Sequence, residues 1–306
     1  MDRRQLLQAS LAAGASAGLA ASSARARQEL SGAPPFRLAY APHPGMFRHL
    51  AGDDVVAQIE FAHDQGFSAW EDNRLAGRPV EEQERIAAAL QRLGMTMGVF
   101  VANFGTAFGK TSFSVPSDEH RQSFLADLEA AVEVARRVDA KWMTIVLGDR
   151  DPRLELDFQH AQAIEMLKRG AEVFEPHDLV MVMEPLNPWR DHPGMLLAKV
   201  PQAYMLCKAV GSPAVKILFD IYHQQITEGN LIPNIDLAWD EIGYFQIGDN
   251  PGRNEPGTGE INYRNVFGHI HSKGWTGVLG MEHGNSLPGP EGEQAVLDAY
   301  RAADAF

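Results

Sequence analysis

Four short, mostly apolar runs in the second half of the chain each end on a side-chain oxygen. They are residues 179–183 before Glu184, 215–219 before Asp220, 242–245 before Gln246 and 277–281 before Glu282. Apolar runs of this length, bounded by breakers such as Pro185, suit strands buried on both faces. An unpaired carboxylate does not suit an apolar interior. The acids therefore belong where each strand emerges from the core. The oxygens recur at intervals of 36, 26 and 36 residues, each about one strand-helix unit.

The same alternation runs through the whole chain. Residues 36–40, 67–71, 95–101 and 142–147 supply four earlier strand candidates, the second of them ending on Glu71. Between the strands lie stripes of helical period, such as Ile86, Leu90 and Leu93, then Phe124, Leu128, Ala131, Val134 and Val138. Asp53 and Ser117 stand where helix caps are expected, and Gly66 and Gly94 where helices should stop. Residues 103–116, polar and Gly-rich with exposed-looking Phe residues, read as a long loop over the site. Eight strand-helix units are expected, either closed into a barrel or spread as a doubly wound sheet. A dinucleotide-binding sheet needs G-x-G-x-x-G after its first strand, and a phosphate loop needs G-x-x-x-x-G-K-[ST]. Neither occurs. The expected fold is α/β, a single (β/α)8 TIM barrel over residues 36–306, with its site at the carboxyl ends of the strands.

The first residues differ from the rest. Arg3 and Arg4 precede Leu6 and Leu7, then comes a weakly apolar stretch at 11–21 and the triplet Ala24, Arg25, Ala26. A basic start, an apolar stretch and an A-x-A cleavage site, in that order, mark an export signal, and the paired arginines resemble the twin-arginine (Tat) type. Residues 1–26 are thus expected to be a signal peptide and 27–35 a linker, with a periplasmic destination. Losing three Arg and one Asp moves the net charge from −13 to −15. So acidic a body disfavours nucleic acid and anionic membranes as partners. A small molecule is the expected partner, and the oligomeric state, a homo-oligomer included, stays open. Cys207 is the single cysteine, sits in an apolar helical pattern and reads as core rather than nucleophile.

Four oxygen donors from successive strands can meet at one barrel mouth. Glu184, Asp220, Gln246 and Glu282 are therefore expected to bind a divalent ion, with Mg²⁺ or Mn²⁺ favoured over zinc because the set is all oxygen. Acids ending strands are also commonly just solvated, which is the bland alternative for any one of them. His223, three residues past Asp220, is expected at the rim, reaching the substrate. Arg253, in the Gly/Pro-rich loop 249–260, is expected to contact a substrate oxygen, with Glu260 as its partner or as an orienting group. Glu71 and His43, at the mouths of the second and first strands, are weaker candidates for a place behind the metal ligands, with Glu71 counted among the substrate-binding residues.

At these residues the chain resembles the hydroxypyruvate isomerase family of the xylose-isomerase-like barrels. The matching segments are residues 183–187, 219–223, 246–263 and 280–283. The resemblance implies that Glu184, Asp220, Gln246 and Glu282 are metal ligands, that Glu184 and Glu282 double as the acid/base pair, and that His223 and Arg253 contact substrate. It implies isomerisation of a sugar or hydroxy-carbonyl compound by proton transfer through an enediolate that the cation stabilises. Related epimerases carry histidine where Gln246 stands. Residues 41–45 and His283 depart from the family pattern, and so does the export signal. Three alternatives remain: a sugar epimerase, a lyase acting on a keto-glycoside at the same site, and a non-catalytic periplasmic sugar-binding protein.

Overall fold

The computed structural model describes residues 32–306. The proposed signal peptide, and the linker up to residue 31, lie outside the described residues. Among the described residues nine strands run through the fold: β1 (Ala39–Ala41), β2 (Ala69–Trp70), β3 (Thr96–Met97), β4 (Phe100–Val101), β5 (Trp142–Ile145), β6 (Val180–Met183), β7 (Val215–Asp220), β8 (Ile242–Gln246) and β9 (Val278–Gly280). All pairings are parallel, in the order β1-β9-β8-β7-β6-β5-β4, with β2 paired to β3. The ring closes through backbone bonds outside the ladders. Glu71 N–H donates to Pro42 O at 2.9 Å beyond β1 and β2, and Val101 N–H donates to Asn73 O at 3.2 Å. β3 and β4 are one stave interrupted at Gly98 and Val99, so the barrel has eight staves.

The interruption has a cause. The Tyr244 hydroxyl reaches in from β8 and accepts from Val99 N–H at 3.4 Å, taking the space a side chain at 98 would need. A Cβ on Gly98 would lie 2.4 Å from that hydroxyl oxygen. Strand ends shift by a few residues elsewhere: the first strand is Ala39–Ala41 rather than 36–40, and the second is Ala69–Trp70.

Eleven α-helices follow in chain order among the described residues. They are α1 (Arg48–Ala51), α2 (Val55–Asp64), α3 (Val80–Leu93), α4 (Phe104–Ala107), α5 (Asp118–Val138), α6 (Leu156–Phe174), α7 (Val200–Val210), α8 (Ile221–Thr227), α9 (Leu231–Ala238), α10 (Tyr263–Ser272) and α11 (Gly289–Ala303). Ser117 caps α5 as expected, its Oγ accepting from His120 N–H at 3.2 Å. Asp53 does not cap α2. The N-cap is Asp54, which makes no side-chain cap bond and instead binds Arg85, while Asp53 pairs with Arg48. The stretch 103–116 holds the short helix α4. Phe104 and Phe108 are exposed there, but Phe113 is fully buried, edge-on to Phe124.

The strand period of two sorts side chains between two cores. Ala41, Ala69, Val99, Val180, Val182, Leu218, Tyr244 and Val278 fill the barrel interior. Their neighbours Met181, Met183, Ile217, Phe219, Phe245 and Leu279 face the helices in the larger outer core. Counting on by two from the interior residues reaches Glu71, Glu184, Asp220, Gln246 and Glu282. Parity alone thus aims all five inward at the carboxyl mouth.

Candidate active site

Asp220 ends β7 and begins α8, a helix that the sequence pattern did not reveal. Its Oδ1 caps the helix, accepting from His223 N–H at 3.1 Å. Its Oδ2 remains for the site and lies 3.7 Å from His223 Nε2 and 3.3 Å from the Arg253 guanidinium. Starting a helix here turns His223 back into the mouth. It is fully buried rather than at the rim, a correction to the expectation, and Nε2 stands 3.6 Å from Glu184 Oε1. Glu184, Asp220 and His223 form a cluster whose ligand-capable atoms lie within 4.8 Å of one another.

The protonation of His223 follows from its neighbour. Asn187 Oδ1 accepts from Arg190 and Asp191 N–H, which fixes the amide orientation. Its Nδ2 then donates to Asp191 at 2.8 Å and to His223 Nδ1 at 2.7 Å, and Asn187 N–H also points at Nδ1. Nδ1 is therefore the acceptor and the neutral ring carries its proton on Nε2. Burial pulls the imidazole down to about 4, so the ring is neutral at pH 7. Nε2 has no hydrogen-bond partner among the described residues. It faces the site as a free donor, which suits contact with a substrate oxygen.

Arg253 sits on the loop after β8 and crosses the mouth. It donates to Glu282 Oε2 at 2.7 Å and reaches Asp220 at 3.3 Å, and its guanidinium lies 4.8 Å from the Tyr222 ring centre. Glu260 does not pair with it. That side chain accepts from Asn250 and Gln225. Asp249 shapes the loop instead, its carboxylate accepting from the N–H groups of Asn250, Gly257, Gly259 and Ile261.

Glu282 is held on both oxygens, by Arg253 and by Asn73 Nδ2 at 2.7 Å. Both oxygens of Glu71 already accept a hydrogen bond. Tyr244 OH donates to it at 2.8 Å and Gln246 Nε2 at 2.9 Å. Room for Glu71 comes from Gly280, where a Cβ would stand 1.7 Å from Glu71 Oε2. His43 contacts the carbonyls of Pro44 and His283 and lines a cavity of about 240 Å³ with Glu71, Asn73, Arg74 and Glu282.

Negative charge exceeds positive here. Burial pushes Glu71 up to about 8, and the Glu282 charge adds to it. Burial, then the charges of Glu282 and Asp220, holds Glu184 well above the carboxylate range. Burial lifts Glu282 to about 7, with Arg253 opposing and Asp220 adding. Four carboxyl groups face one guanidinium, and a divalent cation would take the place of the protons that burial and mutual repulsion make Glu71, Glu184 and Glu282 keep. Gln246 Oε1 is buried with no partner among the described residues, because its amide nitrogen is committed to Glu71. An orphaned amide oxygen beside surplus carboxylates fits a hard cation.

Of the predicted residues, the structure groups Glu184, Asp220 and His223, and Arg253 links Asp220 to Glu282. Gln246 joins through Glu71. Asn73, Asn187 and Tyr222 were missed. Asn187 and Tyr222 left a signal, since each lies in a segment, 183–187 and 219–223, that carries the family resemblance.

Eight parallel staves with acids converging at their carboxyl mouth define an α/β-barrel enzyme. The chain belongs to the xylose isomerase-like TIM barrel family, whose model matches residues 59–303. It is 32% identical to the hydroxypyruvate isomerase of Escherichia coli K12 over 230 residues, 75% of this chain and 88% of that protein. It is 34% identical to a 2-oxo-tetronate isomerase of Cupriavidus necator, over 65% of this chain and 76% of the other. Both relatives are isomerases, and as an enzyme the chain stands with them. The crystal structure of the 3-keto-D-glucoside 4-epimerase of E. coli superposes with a TM-score of 0.71, covering 88% of this chain and all of the other at 19% identity, which shows the shared fold.

Proposed function

We propose that the protein isomerises a small hydroxy-carbonyl compound, a sugar or keto acid of the hydroxypyruvate type, by moving one proton between adjacent carbons. The observation that carries this is the meeting of Glu184, Asp220 and His223 at the mouth, with Arg253 tying Glu282 to Asp220. Glu184, Asp220, Gln246 and Glu282 would hold the divalent ion, Mg²⁺ or Mn²⁺ by their oxygen chemistry. Bound there, it would polarise the carbonyl and offset the negative charge that develops on the substrate oxygens.

The chain's own groups supply the proton traffic. One of Glu184 and Glu282 takes the proton from the hydroxyl-bearing carbon, and that electron pair becomes the carbon-carbon double bond of an enediol. The other returns a proton to the former carbonyl carbon, while the hydroxyl proton leaves its oxygen and one joins the old carbonyl oxygen. Two carboxyls in unlike surroundings suit the two roles. Glu282 is pinned by Asn73 and Arg253, whereas Glu184 lies 3.6 Å from the Nε2–H of His223. His223 and Arg253 donate to the substrate oxygens and keep the reacting carbons in line.

Incubation with hydroxypyruvate in D₂O, with Mn²⁺ added, tests the reading. Deuterium should enter the substrate carbon, and Glu184→Gln or Glu282→Gln should lower the rate by about 10²- to 10⁴-fold. Undiminished exchange in either variant refutes the pair. Proton return to the opposite face of one carbon would make the protein an epimerase, and loss of a substituent would make it a lyase. Residues 1–26 we propose as a Tat signal. An intact Met1 on exported protein would refute it.

A further inference from the structure

The cavity beside Glu282 holds an unused cation. Its wall is the turn after β2, where Asn73 and Arg74 stand next to Glu71 and Asp72. Arg78, on the same wall, is committed to Asp72 and Glu82. Arg74 is exposed and forms no ion pair among the described residues, although it lines a cavity that also contains Glu71 and Glu282. Its backbone is fixed all the same. Its N–H donates to Asp72 Oδ1 at 3.1 Å and its carbonyl accepts from Gly77 N–H at 3.0 Å. Next to it, Asn73 commits Nδ2 to Glu282, while its Oδ1 is buried and has no partner among the described residues. The wall thus offers an unpaired guanidinium and an unpaired acceptor on one side of the catalytic carboxyl.

We propose that Arg74 is a specificity-determining residue that binds a substrate carboxylate, so that the enzyme selects hydroxy-keto acids over neutral sugars of the same length. The inference rests on the isomerase reading and narrows its substrate class. A guanidinium is a natural partner for a carboxylate, which it grips through paired N–H donors. With Glu184, Asp220, Gln246 and Glu282 given to the divalent ion, a substrate carboxylate turned toward this wall would meet Arg74. Arg253 is shared between Asp220 and Glu282 and is assigned to the reacting oxygens, so among the described residues Arg74 is the cation on this wall that no ion pair holds. Asn73 Oδ1 is placed to accept from a substrate hydroxyl while Nδ2 keeps Glu282 aimed, making Asn73 a positioning residue for that carboxyl.

The test compares hydroxypyruvate with dihydroxyacetone, its neutral three-carbon analogue, on the Mn²⁺-loaded protein. The ratio of kcat/KM for the acid to that for the neutral compound should fall about 10- to 100-fold in Arg74→Ala, and Arg74→Lys should recover part of it. Calorimetric binding of tartronate, an unreactive hydroxy diacid, gives a reading free of turnover. Its affinity should fall by a similar factor in Arg74→Ala. An unchanged ratio, or tartronate binding indifferent to Arg74, overturns the assignment. If the wild type turns over neither compound, the isomerase reading fails by itself. Tartronate binding then still decides whether Arg74 is an anion site, and loss of affinity in the variant upholds it.

Discussion

Replacing Gly280 by alanine should disable the barrel mouth without touching a group that meets the substrate. The new methyl would lie 1.7 Å from Glu71 Oε2, where an ordinary contact needs at least 3.4 Å. The Glu71 carboxylate would have to retreat by well over an ångström. Both of its oxygens are engaged, one by Tyr244 OH at 2.8 Å and the other by Gln246 Nε2 at 2.9 Å. Leaving a buried donor without its acceptor costs about 1–3 kcal/mol, so losing both bonds costs about 2–6 kcal/mol. The alternative, moving β9, would break its ladders to β1 and β8. Against a total stability of about 5–15 kcal/mol the loss is large. Urea unfolding followed by far-UV circular dichroism measures it. Glu71→Ala clears the obstacle, so adding Gly280→Ala in that background should cost only about 1 kcal/mol or less. Equal costs in the two backgrounds, or a Gly280→Ala variant within about 0.5 kcal/mol of wild type, would refute the reasoning.

Three further outcomes are expected. Glu71→Ala should weaken Mn²⁺ binding about 10- to 100-fold, because Gln246 loses the partner that turns its oxygen inward; calorimetry checks this, and unchanged affinity removes Gln246 from the ligand set. In cation-free protein, stability should fall as pH rises. Below the ordinary value of 4.5 Glu71 and Glu282 are protonated both folded and unfolded, and the fold's contribution is whole. Above it the unfolded chain releases protons that the native state keeps, until the native groups titrate at about 7 and about 8. The drop should fall between pH about 5 and about 8.5 and should vanish with Mn²⁺; a flat profile of urea midpoints in chelator counts against it. Asn187→Ala should free the His223 ring to change tautomer, lowering kcat about 10-fold or more, with ¹⁵N shifts of the imidazole reporting the change.

Periodicity made the barrel legible. Apolar runs separated by helical stripes at intervals of one strand-helix unit leave few other folds, and acids that cannot be buried must mark the open ends of strands. Glu184, Asp220, Gln246 and Glu282 were found because they end strands. The helix at Ile221–Thr227 was hidden, since its cap is the same Asp220 that ends β7. Only the folded chain buries His223 and sets its proton on Nε2, because Asn187 comes from another stave. Only the folded chain shows Glu71 held by Tyr244 and Gln246, through space opened by Gly98 and Gly280. The physical reason is range. Strand parity and helix period are local and can be read along the chain, whereas the partner that orients an oxygen stands on a neighbouring stave, and closure of the barrel decides which one that is.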